Sequence, residues 1–151
     1  MGELKQRLQD EVKKAMLAKD AGRLECLRGL KSAILYAEVA AGKRDEGLDD
    51  AEIETLLAKE AKKRQESADL YIQGGSQERA DKELSEKAVI EEFLPQQLSE
   101  SEVSVVIDDI ISQVKPEGVG QMGQVISQVK SRLGNTADGA LIARLVKERL
   151  Q

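Results

Sequence analysis

Residues 95–118, PQQLSESEVSVVIDDIISQVKPEG, decide the fold, together with the continuation VGQMGQVISQVKSRLGNTADG over residues 119–139. The valines and isoleucines of the first stretch have only middling helix propensity. Their spacing settles the matter: Val103, Val106, Ile107, Ile110 and Ile111 follow a period of 3.6 rather than 2, which lines one face of a helix. Pro95 breaks the chain beforehand. Ser99 with Glu102 forms a capping-box pattern, and Leu98 opposite Val103 forms a hydrophobic staple across the helix start. Pro116 and Gly118 punctuate. A second helix then carries Met122, Val125, Ile126, Val129 and Leu133 and stops at Gly134. Asp138 stands at the N-cap of a third, with Leu141, Ile142, Leu145, Val146 and Leu150 on its apolar face. These three short helices predict a miniature bundle with its own core.

The same reading extends toward the N-terminus. Leu4, Leu8, Val12 and Met16 form a four-residue repeat, an apolar stripe on a first helix. Asp20 is the expected N-cap of a second helix with Leu24, Leu27, Leu30, Ile34 and Ala37 on one face, ending at Gly42. The polar loop through Gly47 reads as mobile. A third start follows, with Asp49 and Glu52 as a capping box and Leu48 and Ile53 as its staple. That helix carries Ile53, Leu56, Leu57, Ala61, Ala68 and Tyr71 and ends at Gly74-Gly75. Ser76 opens a fourth through Leu84, Ala88, Ile90 and Phe93. The expected architecture is all-α: a four-helix N-terminal domain over residues 1–95 and a three-helix domain over residues 96–151.

Composition supports this class and narrows the chemistry. Of 151 residues, 34% are charged, 40% hydrophobic and 2% aromatic, the balance of a helical protein. A chain of this length buries roughly 70% of its unfolded surface and needs no staple. It has no histidine and one cysteine, Cys26, which reads as a small apolar residue on a buried helix flank. Histidine acid–base catalysis, Ser-His and Cys-His nucleophile pairs and Cys/His metal sites are thereby excluded. The lead-in Met1-Gly2-Glu3-Leu4-Lys5 is charged rather than apolar, unlike a secretory signal, and no apolar run reaches the roughly 20 residues of a membrane span. A soluble, cytoplasmic protein is expected. The net charge of −5 disfavours general coating of nucleic acid, and three aromatic residues, Tyr36, Tyr71 and Phe93, leave little for base stacking.

The order of short motifs carries a resemblance over essentially the whole chain. The N-terminal half supplies Lys19-Asp20, Arg23-Leu24, Leu27-Arg28, then Lys59-Glu60 with Arg64 and Ser67. The middle supplies Phe93-Leu94-Pro95-Gln96-Gln97-Leu98-Ser99. The tail supplies Met122-Gly123 with Val125, then Gly134 with Ala137-Asp138-Gly139. In these residues the chain resembles the YqeY family, whose C-terminal part is similar to the tail domain of the GatB subunit of glutamyl/aspartyl-tRNA amidotransferase. The resemblance implies a helical domain joined to a three-helix tail, a tail that engages tRNA, and chemistry done elsewhere in the larger enzyme. It also carries the label of a carbon–nitrogen ligase with glutamine as amido-N-donor, an activity that belongs to that enzyme. No P-loop glycine pattern for a nucleotide occurs here, sharing a module does not confer its enzyme's reaction, and no catalytic residue or cofactor is expected.

Two groups of residues are the candidate sites. Lys130, Arg132, Arg144 and Lys147 surround the turn before the last helix, whose free N–H groups and positive dipole end suit a phosphate. The alternative is that Asp138 caps that helix and the cations form a solvated face. From Gln96 onward there are six basic and seven acidic residues, so RNA contact needs a local patch. The second group is Asp20, Arg23, Arg28, Lys59, Glu60 and Arg64. Arg64 falls on the apolar stripe of its helix, where a cation needs a carboxylate or a ligand. Asp20 or Glu60 is the expected partner if Arg64 is structural; convergence of Arg23, Arg28 and Arg64 without carboxylates would make an anion site. The functions consistent with this are an accessory protein of tRNA-dependent amidation that binds tRNA, a module without RNA contact that docks on an aminoacyl-tRNA synthetase or a subunit of the amidotransferase, and the ligase itself.

Overall fold

A computed structural model describes residues 2–151; Met1, at the head of the charged lead-in, lies outside the described residues. The described residues form α-helices with short 3-10 turns and no strand. The helices are α1 (Glu3–Leu17), α2 (Ala21–Ala40), α3 (Asp50–Gln73), α4 (Gln77–Glu91), α5 (Glu100–Val114), α6 (Met122–Leu133) and α7 (Gly139–Leu150). The chain divides into two compact units, one ending at Leu94 and the other spanning Pro95–Gln151. The all-α class read from the helical periods holds.

The N-terminal unit is built on α1, α2 and the long hairpin of α3 and α4. Its core gathers Leu8, Leu27, Ile34, Ile53, Leu57, Ile90 and Phe93, all at most 3% exposed. The α1 stripe differs from expectation at one place: Ala15 is buried, whereas Met16 is half exposed. A strict four-residue repeat advances about 40° per step on a helix of 3.6 residues per turn, so its fourth member leaves the core face. Ala88 of α4 is likewise exposed, off the face that buries Ile90. Leu24, Leu56 and Ala37 are partly buried against the core. Tyr71 is half-buried with the Arg79 guanidinium 5.9 Å from its ring centre.

The loop between α2 and α3 is tied down rather than loose. The carbonyl of Glu38 accepts from Lys43 N–H at 2.8 Å, that of Lys43 accepts from Gly47 N–H at 2.7 Å, and the Glu38 carboxylate accepts from Leu48 N–H at 2.8 Å. Gly47 adopts φ +77°, and a Cβ there would lie 3.0 Å from Glu38 Oε2. Only glycine meets both conditions without strain. Asp20 and Asp49 act as N-caps, accepting from Arg23 N–H at 3.1 Å and Glu52 N–H at 2.8 Å. The second half of the expected Asp49–Glu52 box is replaced by an ion pair, because the Glu52 carboxylate turns to Lys43 at 3.1 Å.

The C-terminal unit packs α5, α6 and α7 around Val103, Ile107, Ile110, Val125, Val129, Ile142, Leu145 and Val146, each at most 2% exposed. Ser99 and Glu102 close both halves of the capping box, at 3.1 Å each, and Leu98 packs on the same core. α5 ends on Lys115 in the left-handed region at φ +52°, just before Pro116. Asp138 occupies the N-cap position of α7, but its side chain makes no capping hydrogen bond.

Candidate functional site

The tail cations do not form an open basic face. Arg132 Nη1 on α6 meets Asp109 Oδ2 of α5 at 2.5 Å. Arg144 on α7 is shared between Glu100 and Glu148, both at 3.2 Å. The Glu100 carboxylate, then that of Glu148, hold the Arg144 guanidinium above its ordinary range. A third guanidinium, that of Arg149, meets Asp108 at 2.5 Å. Each arginine of the tail thus carries its own carboxylate. Lys147 and Lys130 are exposed, and neither has a carboxylate partner among the described residues. The Lys130 side chain lies over the start of α7, its Cε and Nζ 3.3 and 3.4 Å from where a Cβ on Gly139 would stand.

The N-terminal group separates into three places. Arg23 is the centre of a clasp: its guanidinium donates to Glu92 at 2.7 Å and to Glu11 at 3.0 Å. Hydrogen bonding to Glu92 raises its pKa above the ordinary guanidinium value, and Arg23 and Lys14 in turn lower that of Glu11. Arg7 completes the clasp, donating to the Glu92 carbonyl at 3.0 Å and lying 5.4 Å over the Phe93 ring. This knot fastens α1 and α2 to the end of α4.

Arg64 is elsewhere, inside the α3–α4 hairpin. Its partners are Glu86, at 3.1 Å, and Glu83, at 3.9 Å, not Asp20 or Glu60. Asp20 is occupied as the α2 cap, and Glu60 pairs with Lys63 at 3.4 Å on the outside of the helix. Tertiary packing of α4 on α3 supplies acids that a reading of local sequence neighbours does not find. The Arg64 Nε and Glu83 Oε2 are buried without a hydrogen bond, so this is an ion pair of imperfect alignment. Cys26 is nearby and half-buried, its Sγ 3.9 Å from the Glu86 carbonyl, and burial pushes its thiol pKa up. Lys59 is exposed on α3.

Arg28 stands apart from both. It lines an open groove of about 500 Å³ between α1 and α2, whose floor includes Leu8 and Ile34 and whose rim includes Lys31 and Leu35. One end of the groove holds Lys5 and the 3%-exposed Glu38, joined at 2.7 Å. Burial opposes the charge on Glu38, but the Lys5 ammonium and the Leu48 N–H outweigh it and hold the carboxyl below the usual range. Glu38 is a site residue that the sequence reading misses. Its signal is its position four residues after Ile34, which places it on the core face of α2. Arg23, Arg28 and Arg64 therefore do not converge on one anion site.

Among the described residues no group of three or more His, Cys, Asp and Glu side chains is placed to hold a metal ion, and no helix is long and apolar enough to cross a membrane.

Comparison with known proteins places this geometry in context. The chain is 30% identical over 110 residues to Altered inheritance of mitochondria protein 41, mitochondrial, of Lachancea thermotolerans, a match covering 72% of the chain and 58% of that protein. It is 36% identical over 58 residues to a subunit of the glutamyl-tRNA(Gln) amidotransferase of Thermococcus gammatolerans, covering 36% of the chain and 9% of that protein. The corresponding protein of Thermococcus sibiricus matches to the same extent. The chain thus spans a little over half of the first relative and a small part of the other two. The kinship with tRNA amidotransferase that the tail motifs imply is present in these matches. The family model described as Yqey-like protein matches residues 5–150, and the chain belongs to that family.

Proposed function

We propose that this protein is an accessory of tRNA-dependent amidation that acts by binding, with its helical tail from residue 96 onward docking on tRNA or on a protein that handles it. The observation that carries the reading is the match to part of a tRNA amidotransferase, 36% identical over 58 residues. Residue chemistry is consistent with it: the chain has no histidine, the usual general base at neutral pH. The charge arrangement of the tail favours a protein surface over a phosphate backbone. Arg132, Arg144 and Arg149 are each engaged by carboxylates, and releasing them toward RNA would leave those acids facing phosphate.

The test titrates the full chain against unfractionated tRNA and, separately, against a purified tRNA amidotransferase. Saturable binding to the amidotransferase with shallow salt dependence supports protein docking. Saturable binding to tRNA, with a log–log salt slope that falls by about one unit for each of Lys130→Gln and Lys147→Gln, supports direct RNA contact. Flat curves for both ligands at low salt overturn the proposal.

A further inference from the structure

The outer side of α2 carries a feature that the tail-based function does not use. A globular-protein helix ordinarily buries one apolar stripe and leaves the opposite face polar. α2 buries Leu27, Leu30 and Ile34, yet also presents Leu35, Tyr36 and Val39 at 50%, 79% and 55% exposure. Leu35 and Val39 lie four residues apart, so they share a face, and Arg28 and Lys31 continue that face toward the helix start. From Arg28 to Val39 the stripe runs about 16 Å at 1.5 Å per residue. The α1–α2 groove lies along it, with Leu8 and Ile34 at its floor. Contiguous exposed apolar surface beside a groove marks a docking site.

Charge identifies the occupant. The chain carries a net charge of −5, and most of its arginines have a carboxylate, carbonyl or ring partner. Arg28 and Lys31 have none among the described residues; the nearby acid Glu38 is buried and already taken by Lys5 and Leu48 N–H. The groove therefore offers two available cations at one end of an apolar strip three helical turns long. We infer that this groove docks an acidic amphipathic helix of a protein partner, apolar residues on Leu35 and Val39 and carboxylates against Arg28 and Lys31. A helix lying in a groove presents anchors at i, i+3, i+4 and i+7, a span of about 10.5 Å that fits within the strip and leaves a further turn to reach the cations. This inference stands on the N-terminal unit alone and does not depend on what the tail binds.

The experiment uses the full chain and a fluorescein-labelled synthetic helical peptide of about fourteen residues, leucine on one face and glutamate on its flanks, followed by anisotropy. Saturable binding is expected, weakened at least ~tenfold by Arg28→Glu with Lys31→Glu and to a similar extent by Leu35→Asp with Val39→Asp. These side chains are exposed, and unchanged far-UV circular dichroism verifies the fold. The charge-reversed pair is expected to bind the same peptide with lysine in place of glutamate. Absence of saturable binding, or binding insensitive to both pairs of changes, overturns the proposal. So does sedimentation showing a dimer that Leu35→Asp dissolves, because the occupant is then a second copy of the chain.

Discussion

Lys5 on α1 and Glu38 on α2 meet at 2.7 Å with the glutamate 3% exposed, and the same carboxylate holds the Leu48 N–H at 2.8 Å. One side chain thus joins two helices and anchors the loop that leads to α3. Because the folded-state pKa of Glu38 lies below its unfolded value, its stabilisation is full above the ordinary glutamate range and fades as pH falls through the folded value. Glu38→Gln is expected to cost about 1–3 kcal/mol at neutral pH and to flatten the loss of stability below pH ~4.5. Urea titrations at several pH values check this. Parallel pH profiles for the two proteins would refute it.

The ion pair of Arg64 with Glu86 lacks an aligned hydrogen bond, so it contributes little net stability. Removing both signs of charge together, Arg64→Met with Glu83→Gln and Glu86→Gln, leaves no uncompensated carboxylate and is expected to stay within ~1 kcal/mol of the parent protein. In contrast, Ala68 is fully buried in the same hairpin, and Ala68→Leu is expected to cost about 1–3 kcal/mol by overpacking. Denaturant midpoints of the two proteins give the comparison; a larger loss for the triple variant than for Ala68→Leu would show that the ion cluster is a required strut.

In the tail, Ser99→Ala removes the acceptor of the Glu102 N–H and one half of the α5 capping box. A loss of about 1 kcal/mol is expected, read as faster amide exchange in the first turn of α5. Unchanged exchange there would mean the cap is redundant.

Ile107 is fully buried at the centre of the tail core, and Ile107→Ala is expected to cost about 2–5 kcal/mol. The cores of the two units are separate clusters, so hydrogen exchange should accelerate across α5, α6 and α7 while Ile53 and Leu57 on α3 keep their protection. Equal acceleration in both units would contradict that division.

Much of this fold is legible in the sequence, because local rules govern it. Period, N-cap residues and glycine or proline stops locate the α-helices of the described residues, and the Ser99–Glu102 box forms as read. Misreadings arise where the decision is tertiary. Met16 continues a stripe that the helical twist carries away from the core, and Ala15 takes its place. For Arg64, the sequence reading expects Asp20 or Glu60 as a structural partner, whereas its partners come from α4 across the hairpin. Site residues are the least legible. A cation read from sequence is equally a ligand contact or half of an ion pair, and only the fold shows that Arg132 and Arg144 are engaged while Arg28 is not.

The central claim, action by docking on the tRNA-amidation apparatus, is tested most directly by immobilising the full chain and passing a purified tRNA amidotransferase over it, before and after nuclease treatment. Retention of the amidotransferase that survives nuclease and weakens with Lys130→Glu and Lys147→Glu is the predicted result. Failure to retain it in either condition together with no saturable binding of tRNA, or amide formation on aminoacyl-tRNA by this chain with no partner present, would contradict the account.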